Sequence, residues 1–262
     1  LQQTIDGYGR HEVVIDHSFH GIRIHEMSEE HLARLFSVYR DRMDELFRSN
    51  AAVRAVLVFK NFGPAAGASI AHSHSQIVAM PVVPANIDAE VQNSAAHHAK
   101  YGRCIFCSLV DEALTFEAAI YDRASGLMRR KIDVGQYVIE RGEKFIAVKP
   151  FASRFEWEVQ VLPLDHEADF TKLKDDDLGD LAKVFRRSMA RLNAVLGGVQ
   201  YNFFIHSLPH GPSYEGMKES FHWHIEICPR TSVPTGFELG SGLFVNTISP
   251  EDAAAKLRAV VL

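Results

Sequence analysis

A chain of 262 residues is long enough for one large domain or two small ones, and 47% hydrophobic with 23% charged residues excludes a disordered polymer. The net charge of -5 excludes a global basic field for nucleic acid or an anionic membrane, and no apolar run is long enough to span a bilayer. Three cysteines, Cys104, Cys107 and Cys228, cannot make a disulfide framework and suit a reducing cytoplasm.

In chain order, H-E-V-V-I-D predicts a strand over 11–16. Ser28 is placed as the N-cap of a helix over 29–48, with Leu32, Leu35, Phe36, Tyr39, Met43, Leu46 and Phe47 recurring on one face. His31 and the pair His97-His98 read as solvated helix residues. A buried strand is expected over 55–60, then a glycine-bearing loop, then a strand carrying His72 and His74 and ending near Pro81. A polar helix over 84–100 closes at Gly102.

After Cys104-Ile-Phe-Cys107 a short helix is expected over 109–120. Strands over 136–139 and 145–148 flank the turn Arg141-Gly142-Glu143, and another strand covers 157–162. An amphipathic helix over 175–196 sets Leu178, Leu181, Phe185, Met189 and Leu192 on one face and ends at Gly197-Gly198. Strands follow over 201–206, over 220–228 before Pro229, and over 237–246. Ser249-Pro250-Glu251 opens a last helix with proline in its first position.

The stretch over 61–76, N-F-G-P-A-A-G-A-S-I-A-H-S-H-S-Q, carries the chemistry. In a strand, His72, His74 and Gln76 share one face and Ser73 and Ser75 the other. Loop N–H groups suit a phosphate, and an imidazole beside a phosphate is a candidate nucleophile for nucleotidyl transfer.

The pattern occurs twice. Glu12-Val13 precedes His20 as Glu158-Val159 precedes His166, and each histidine is followed by a helix, a strand, a loop and an H-x-H strand closed by proline. Two tandem copies of one α+β unit are expected, over 1–100 and 101–262, in an antiparallel sheet with flanking helices. Cys104 and Cys107 lie upstream of His166, so a matching pair for the first copy would fall before Leu1. The first copy is therefore expected to lack its N-terminal part. The second H-x-H strand has Glu226 where the first has Gln76, and a carboxylate there repels phosphate. Catalysis is assigned to the first copy and a structural role to the second.

The motif N-x-G-x-x-x-G-x-S-x-x-H-x-H-x-Q, formed by Asn61, Gly63, Gly67, Ser69, His72, His74 and Gln76, resembles the galactose-1-phosphate uridylyltransferase family of the histidine triad superfamily. The resemblance extends through His20, Cys104, Cys107, His166, His222-x-His224 and the tail G-F-E-L-G-S-G-L-F-V-N. It implies tandem histidine-triad-like repeats and a ping-pong transfer from a nucleotide sugar to a sugar 1-phosphate or phosphate, with His74 as nucleophile and Gln76 assisting. Ser73 between the histidines, with the second cysteine pair, is similar to the ADP-glucose phosphorylase branch; base and acceptor stay open, and hydrolysis or simple nucleotide binding are the other classes. By the resemblance, Asn61, Gly67, Ala68, Ser69 and Gln76 hold the nucleotide. Val233, Gly236, Phe237, Glu238 and Gly242 hold the sugar phosphate, in a segment that reaches the partner subunit of a homodimer.

Two thiolates and two imidazoles, Cys104, Cys107, His166 and His222, are suited to a closed structural zinc site. The repeat makes His20 and His72 half of an equivalent site. The resemblance also offers Glu90, His206, His222 and His224 for a second metal; this set competes for His222, which is given to the cysteines. Cys228 reads as a core thiol.

Overall fold

The structure is a computed structural model that describes Thr4 and residues 6–115, 117–122 and 124–262. Among the described residues ten strands form: β1 (Arg10–Ile15), β2 (Ala55–Phe62), β3 (His74–Met80), β4 (Glu117–Tyr121), β5 (Met128–Asp133), β6 (Val138–Arg141), β7 (Phe145–Val148), β8 (Val159–Pro163), β9 (Tyr201–His206) and β10 (His224–Pro229). Eight make one antiparallel sheet in the order β1-β3-β2-β9-β10-β8-β7-β6, and β4 and β5 make a separate hairpin. The order reads outward from a centre: β2, β3 and β1 on one side answer β9, β10 and β8 on the other. At that centre Asn61 pairs with Asn202 and Phe59 with Phe204.

The described residues also form the α-helices α1 (Glu29–Ser49), α2 (Ala85–Tyr101), α3 (Ile105–Thr115), α4 (Leu178–Leu196), α5 (Gly236–Ser241) and α6 (Pro250–Arg258). Helix α1 starts where Ser28 Oγ accepts the His31 N–H at 3.1 Å. Its stripe Leu32, Leu35, Phe36, Tyr39, Met43 and Leu46 is buried, each apolar side chain contributing about 2 kcal/mol. Against it lies α4, whose Phe185 meets Phe36 edge-on at 5.2 Å and Phe203 of β9 at 5.4 Å. Together α1 and α4 cover one face of the sheet. On the other face α2 and α3 pack Ile87, Val91, Phe106 and Val110 over Ile146 and Leu162. Gly102 and Gly197 end α2 and α4 in the left-handed conformation, at φ 71° and 67°.

Several expectations are corrected. The strand with His72 and His74 begins only at His74, and that with His222 and His224 only at His224. The short helix is α3, starting inside the C-x-x-C pair, and β4 follows it, with Phe116 outside the described residues. The segment over 237–246 is not a strand: Thr235 and Glu238 form a capping box, which nucleates α5, and Gly242 stops it at φ 72°. His31 is not simply solvated, because its Nε2 lies 2.6 Å from the Asp16 carbonyl.

Candidate active site and metal centres

The glycine loop is shaped by two left-handed residues, Gly63 at φ 86° and Gly67 at φ 81°, around the turn Pro64–Ala66. A Cβ on Gly63 would meet the Gln200 side chain at 2.5 Å, and Gln200 Oε1 accepts the Ala65 N–H at 2.6 Å. Asn202 Nδ2 donates to Asn61 Oδ1 at 2.8 Å and to the Ala66 carbonyl at 2.9 Å. The second half thus supports the loop of the first, and the Asn61 amide NH2 is left to donate elsewhere. Asn61, Ala68, Ser69, His72 and His74 line a cavity of about 350 Å³. Gly67 turns the chain beside it.

His74 is buried, and its Nδ1 lies 2.8 Å from the His72 carbonyl. A carbonyl only accepts, so Nδ1 carries a proton, and in the neutral ring Nε2 is the nitrogen with the lone pair. Gln76 shares the face of His74 two residues along β3, with Oε1 at 2.9 Å from His11 Nε2. Donation from His11 leaves the Gln76 NH2 free to donate. His72 lies outside the strand and points elsewhere: its Nε2 is 2.7 Å from the His17 carbonyl and its Nδ1 3.2 Å from His20 Nδ1. Two imidazole ligands of one zinc stand about 3.3 Å apart, so His20 and His72 fit half a site.

Behind His74, on the helix-covered face, lies a buried polar cluster. Lys60 Nζ donates to Asp16 Oδ2 at 2.5 Å, to Ser73 Oγ at 3.0 Å and to the His74 carbonyl at 2.9 Å. Asp16 also accepts from Ser73 Oγ at 2.9 Å and Ser75 Oγ at 2.7 Å, and Tyr39 Oη stands 3.4 Å from it. Burial lowers the Lys60 pKa against the pull of Asp16, and raises the Tyr39 pKa well above its ordinary value. His11, Asp16, Lys60 and Asn202 went unnoticed in the sequence as site residues; a lysine inside an otherwise apolar strand, V-L-V-F-K, was the available signal.

Cys104, Cys107, His166 and His222 converge as expected, with ligand atoms within 4.8 Å of one another. Cys107 Sγ lies 3.2 Å from His166 Nδ1 and 3.6 Å from His222 Nδ1, and sulfur and nitrogen ligands on a tetrahedral zinc stand about 3.6 Å apart. Hydrogen bonds from Cys107 and His222 hold the Cys104 thiol below its ordinary range, while the same contact with Cys104 raises the Cys107 thiol.

The competition for His222 does not arise. His222 lies before β10 and turns its Nδ1 to Cys107, whereas His224 opens the strand and joins Glu90, His206 and Glu226 in a second cluster with ligand atoms within 4.8 Å. Glu90 lies 2.7 Å from His206 Nδ1 and 3.1 Å from His224 Nε2. Burial alone would lower the His224 pKa, but Glu90 and Glu226 push it up to about 10. Burial alone would raise the Glu90 pKa, and the two histidines lower it instead. Glu226 takes the place that the sequence reading gave to His222.

The C-terminal segment stands apart. Val233, Phe237 and Leu239 are exposed, and Glu238 spends its carboxylate on the Thr235 N–H at 2.8 Å and Oγ1 at 2.7 Å. None of Val233, Gly236, Phe237, Glu238 and Gly242 lines the His74 cavity.

A family described as "Domain of unknown function (DUF4931) N-terminal domain" matches residues 8–83. The chain is 29% identical over 260 residues to an ADP-glucose phosphorylase from Arabidopsis thaliana, spanning 99% of this chain and 67% of that protein. It is 25% identical over 254 residues to a galactose-1-phosphate uridylyltransferase from Thermotoga maritima, spanning 94% of this chain and 73% of that protein. The X-ray structure of a GALT-like protein from Arabidopsis thaliana superimposes with a TM-score of 0.86 at 30% identity, over 99% of this chain and 78% of that one.

Proposed function

The chain belongs to the galactose-1-phosphate uridylyltransferase-like family of nucleotidyltransferases in the histidine triad superfamily, and we propose that it transfers a nucleotidyl group from a nucleotide sugar through His74. The observation that carries this reading is the bond from His74 Nδ1 to the His72 carbonyl at 2.8 Å, beside the loop cavity. In the neutral ring it makes Nε2 the lone-pair nitrogen and holds it in place.

In the first step Nε2 attacks the α-phosphorus, the bond to the bridging oxygen breaks, and sugar 1-phosphate leaves with the electron pair. The nucleotidyl-histidine is then attacked by an oxygen of a second phosphate, and Nε2 leaves unprotonated again. The Gln76 amide and Ser69 hydroxyl are suited to the equatorial oxygens, since they donate without adding charge, while the Ala68 N–H is given to the Gly63 carbonyl at 3.1 Å and shapes the loop. Asn61 holds phosphate or nucleoside, oriented by Asn202.

With a hexose 1-phosphate as acceptor the enzyme is a uridylyltransferase. The H-S-H-S-Q form and the Cys104–Cys107 site, with 29% identity to an ADP-glucose phosphorylase, favour a second reading with an adenylyl donor and inorganic phosphate.

Zinc at Cys104, Cys107, His166 and His222 supports the fold and leaves no coordination position for chemistry. Glu90, His206, His224 and Glu226 suit a second divalent ion, and His20 with His72 supply two ligands of another. The exposed apolar C-terminal segment supports a homodimer in which Phe237 and Glu238 reach the partner's sugar-phosphate site; a solution mass of one chain would remove that reading. Three thiols free of disulfides suit a reducing cytoplasm. Among the described residues no helix is long and apolar enough to cross a membrane. We divide the chain into a catalytic repeat over 1–100 and a structural repeat over 101–262.

The reading is tested by incubating the protein with UDP-glucose or ADP-glucose and weighing it intact. A nucleotidyl adduct discharged by galactose 1-phosphate or by phosphate identifies the acceptor. No adduct with either donor contradicts the transfer.

A further inference from the structure

The two copies of the H-x-H strand offer an internal comparison. In both, the second histidine opens the strand and points Nδ1 at the carbonyl two residues back, at 2.8 Å for His74 and 3.1 Å for His224. The residues flanking it differ. Around His224 they are Trp223 and Ile225, buried in the apolar core. Around His74 they are Ser73 and Ser75, equally buried, and both are hydrogen-bonded to the Lys60–Asp16 pair. The second copy shows that the fold seats this strand on apolar packing alone. A buried ion pair in its place is, for stability, neutral at best against well-packed apolar residues, because desolvation offsets the attraction.

From this contrast we infer that Lys60 and Asp16 are positioning residues that fix the backbone of Ser73, His74 and Ser75 and so the aim of the His74 imidazole; the inference rests on reading His74 as the nucleophile. The geometry is saturated. Each of the three ammonium hydrogens of Lys60 has an oxygen within reach, and one of those oxygens is the carbonyl of His74 itself. Asp16 takes one hydroxyl on each side of His74, and its own N–H donates to the Ser73 carbonyl at 3.1 Å. Tyr39 Oη, from α1, donates to Ser75 Oγ at 2.6 Å. The rotation that would swing His74 breaks several of these bonds together. Lys60 also precedes Asn61 on β2, so one residue ties the phosphate loop to the nucleophile strand.

The test is a single-turnover measurement of nucleotidyl-histidine formation from ADP-glucose and from UDP-glucose, read by intact mass, with thermal midpoints recorded alongside. In Lys60→Met/Asp16→Asn both charges go, while the introduced amide keeps hydrogen-bonding capacity for the serines. The labelling rate at saturating donor is expected to fall about 10- to 100-fold, with the half-saturating donor concentration unchanged. A purely structural role would lower the midpoint and leave the rate. Ser73→Ala keeps the ion pair and is expected to label about 3- to 10-fold more slowly; it decides alone should the double variant not fold. Wild-type rates in the folded variants overturn the inference and leave the nucleophile in place. Failure of the wild type to label removes the nucleophile, and the inference with it.

Discussion

A zinc ion held by Cys104, Cys107, His166 and His222, as proposed, would stabilise the fold by cross-linking distant segments. The four ligands join α3 to the segment after β8 and to the entrance of β10; Cys107 and His166 are 59 residues apart. Cross-linking a loop of that length removes chain entropy worth about 4 kcal/mol from the unfolded state. A chain of this size loses about 2 °C of thermal midpoint per kcal/mol. Chelation, or Cys107→Ser, should therefore lower the midpoint by roughly 8 °C. Zinc counted with a chromogenic chelator and a thermal scan of the same sample are sufficient. Stoichiometric release of zinc with an unchanged midpoint, or Cys107→Ser as stable as wild type, would refute the reasoning.

Lys149 gives a pH-dependent test. It is buried on β7's exit, where desolvation outweighs Glu158 and holds its pKa down to about 8. Between that value and the ordinary lysine pKa the folded state binds fewer protons than the unfolded one, so stability rises with pH across this window. Relative to Lys149→Met, the wild type should gain about 3 kcal/mol between pH 7 and pH 10.5 in denaturant unfolding; a constant gap would contradict the assignment. Glu90→Gln should strip the metal of the carboxylate–histidine cluster and spare the cysteine-bound zinc; unchanged metal content by elemental analysis would show that the cluster binds no ion. Asn202→Ala frees the Asn61 amide and should raise the half-saturating donor concentration about fivefold, the worth of one hydrogen bond near 1 kcal/mol; an unaltered value would remove Asn202 from the site.

Local signals were legible in the sequence, and long-range ones were not. Ser28, Gly102, Gly197 and Ser249-Pro250 delimit helices by their own backbone chemistry, and each does so in the structure. The stripe of α4 is buried at Leu178, Leu181, Phe185, Met189 and Leu192 because a 3.6-residue period has one core-facing solution. At 237–246 the capping box of Thr235 and Glu238 outweighs the β-propensity of G-L-F-V-N. H-x-H and C-x-x-C spacing point to the candidate metal ligands, and the start of β10 at His224 divides the two histidines between two clusters. Asp16 and Lys60 are 44 residues apart, and Glu90 and His206 are 116 apart. No periodicity connects such pairs; β3, paired with both β1 and β2, brings Asp16 to Lys60, and α2 brings Glu90 to His206 of β9. Ser73 and Ser75 were read as facing away from the chemistry. They do, and the structure shows that what they face is the charge pair behind it.

The account stands most directly on one atom, His74 Nε2. After brief exposure to ADP-glucose or UDP-glucose, digestion and peptide sequencing at neutral pH should find the nucleotidyl group on His74. A His74→Gly protein of unchanged thermal midpoint should take up none. A nucleotidyl group on another residue, or undiminished labelling of the His74→Gly protein, would contradict the central claim.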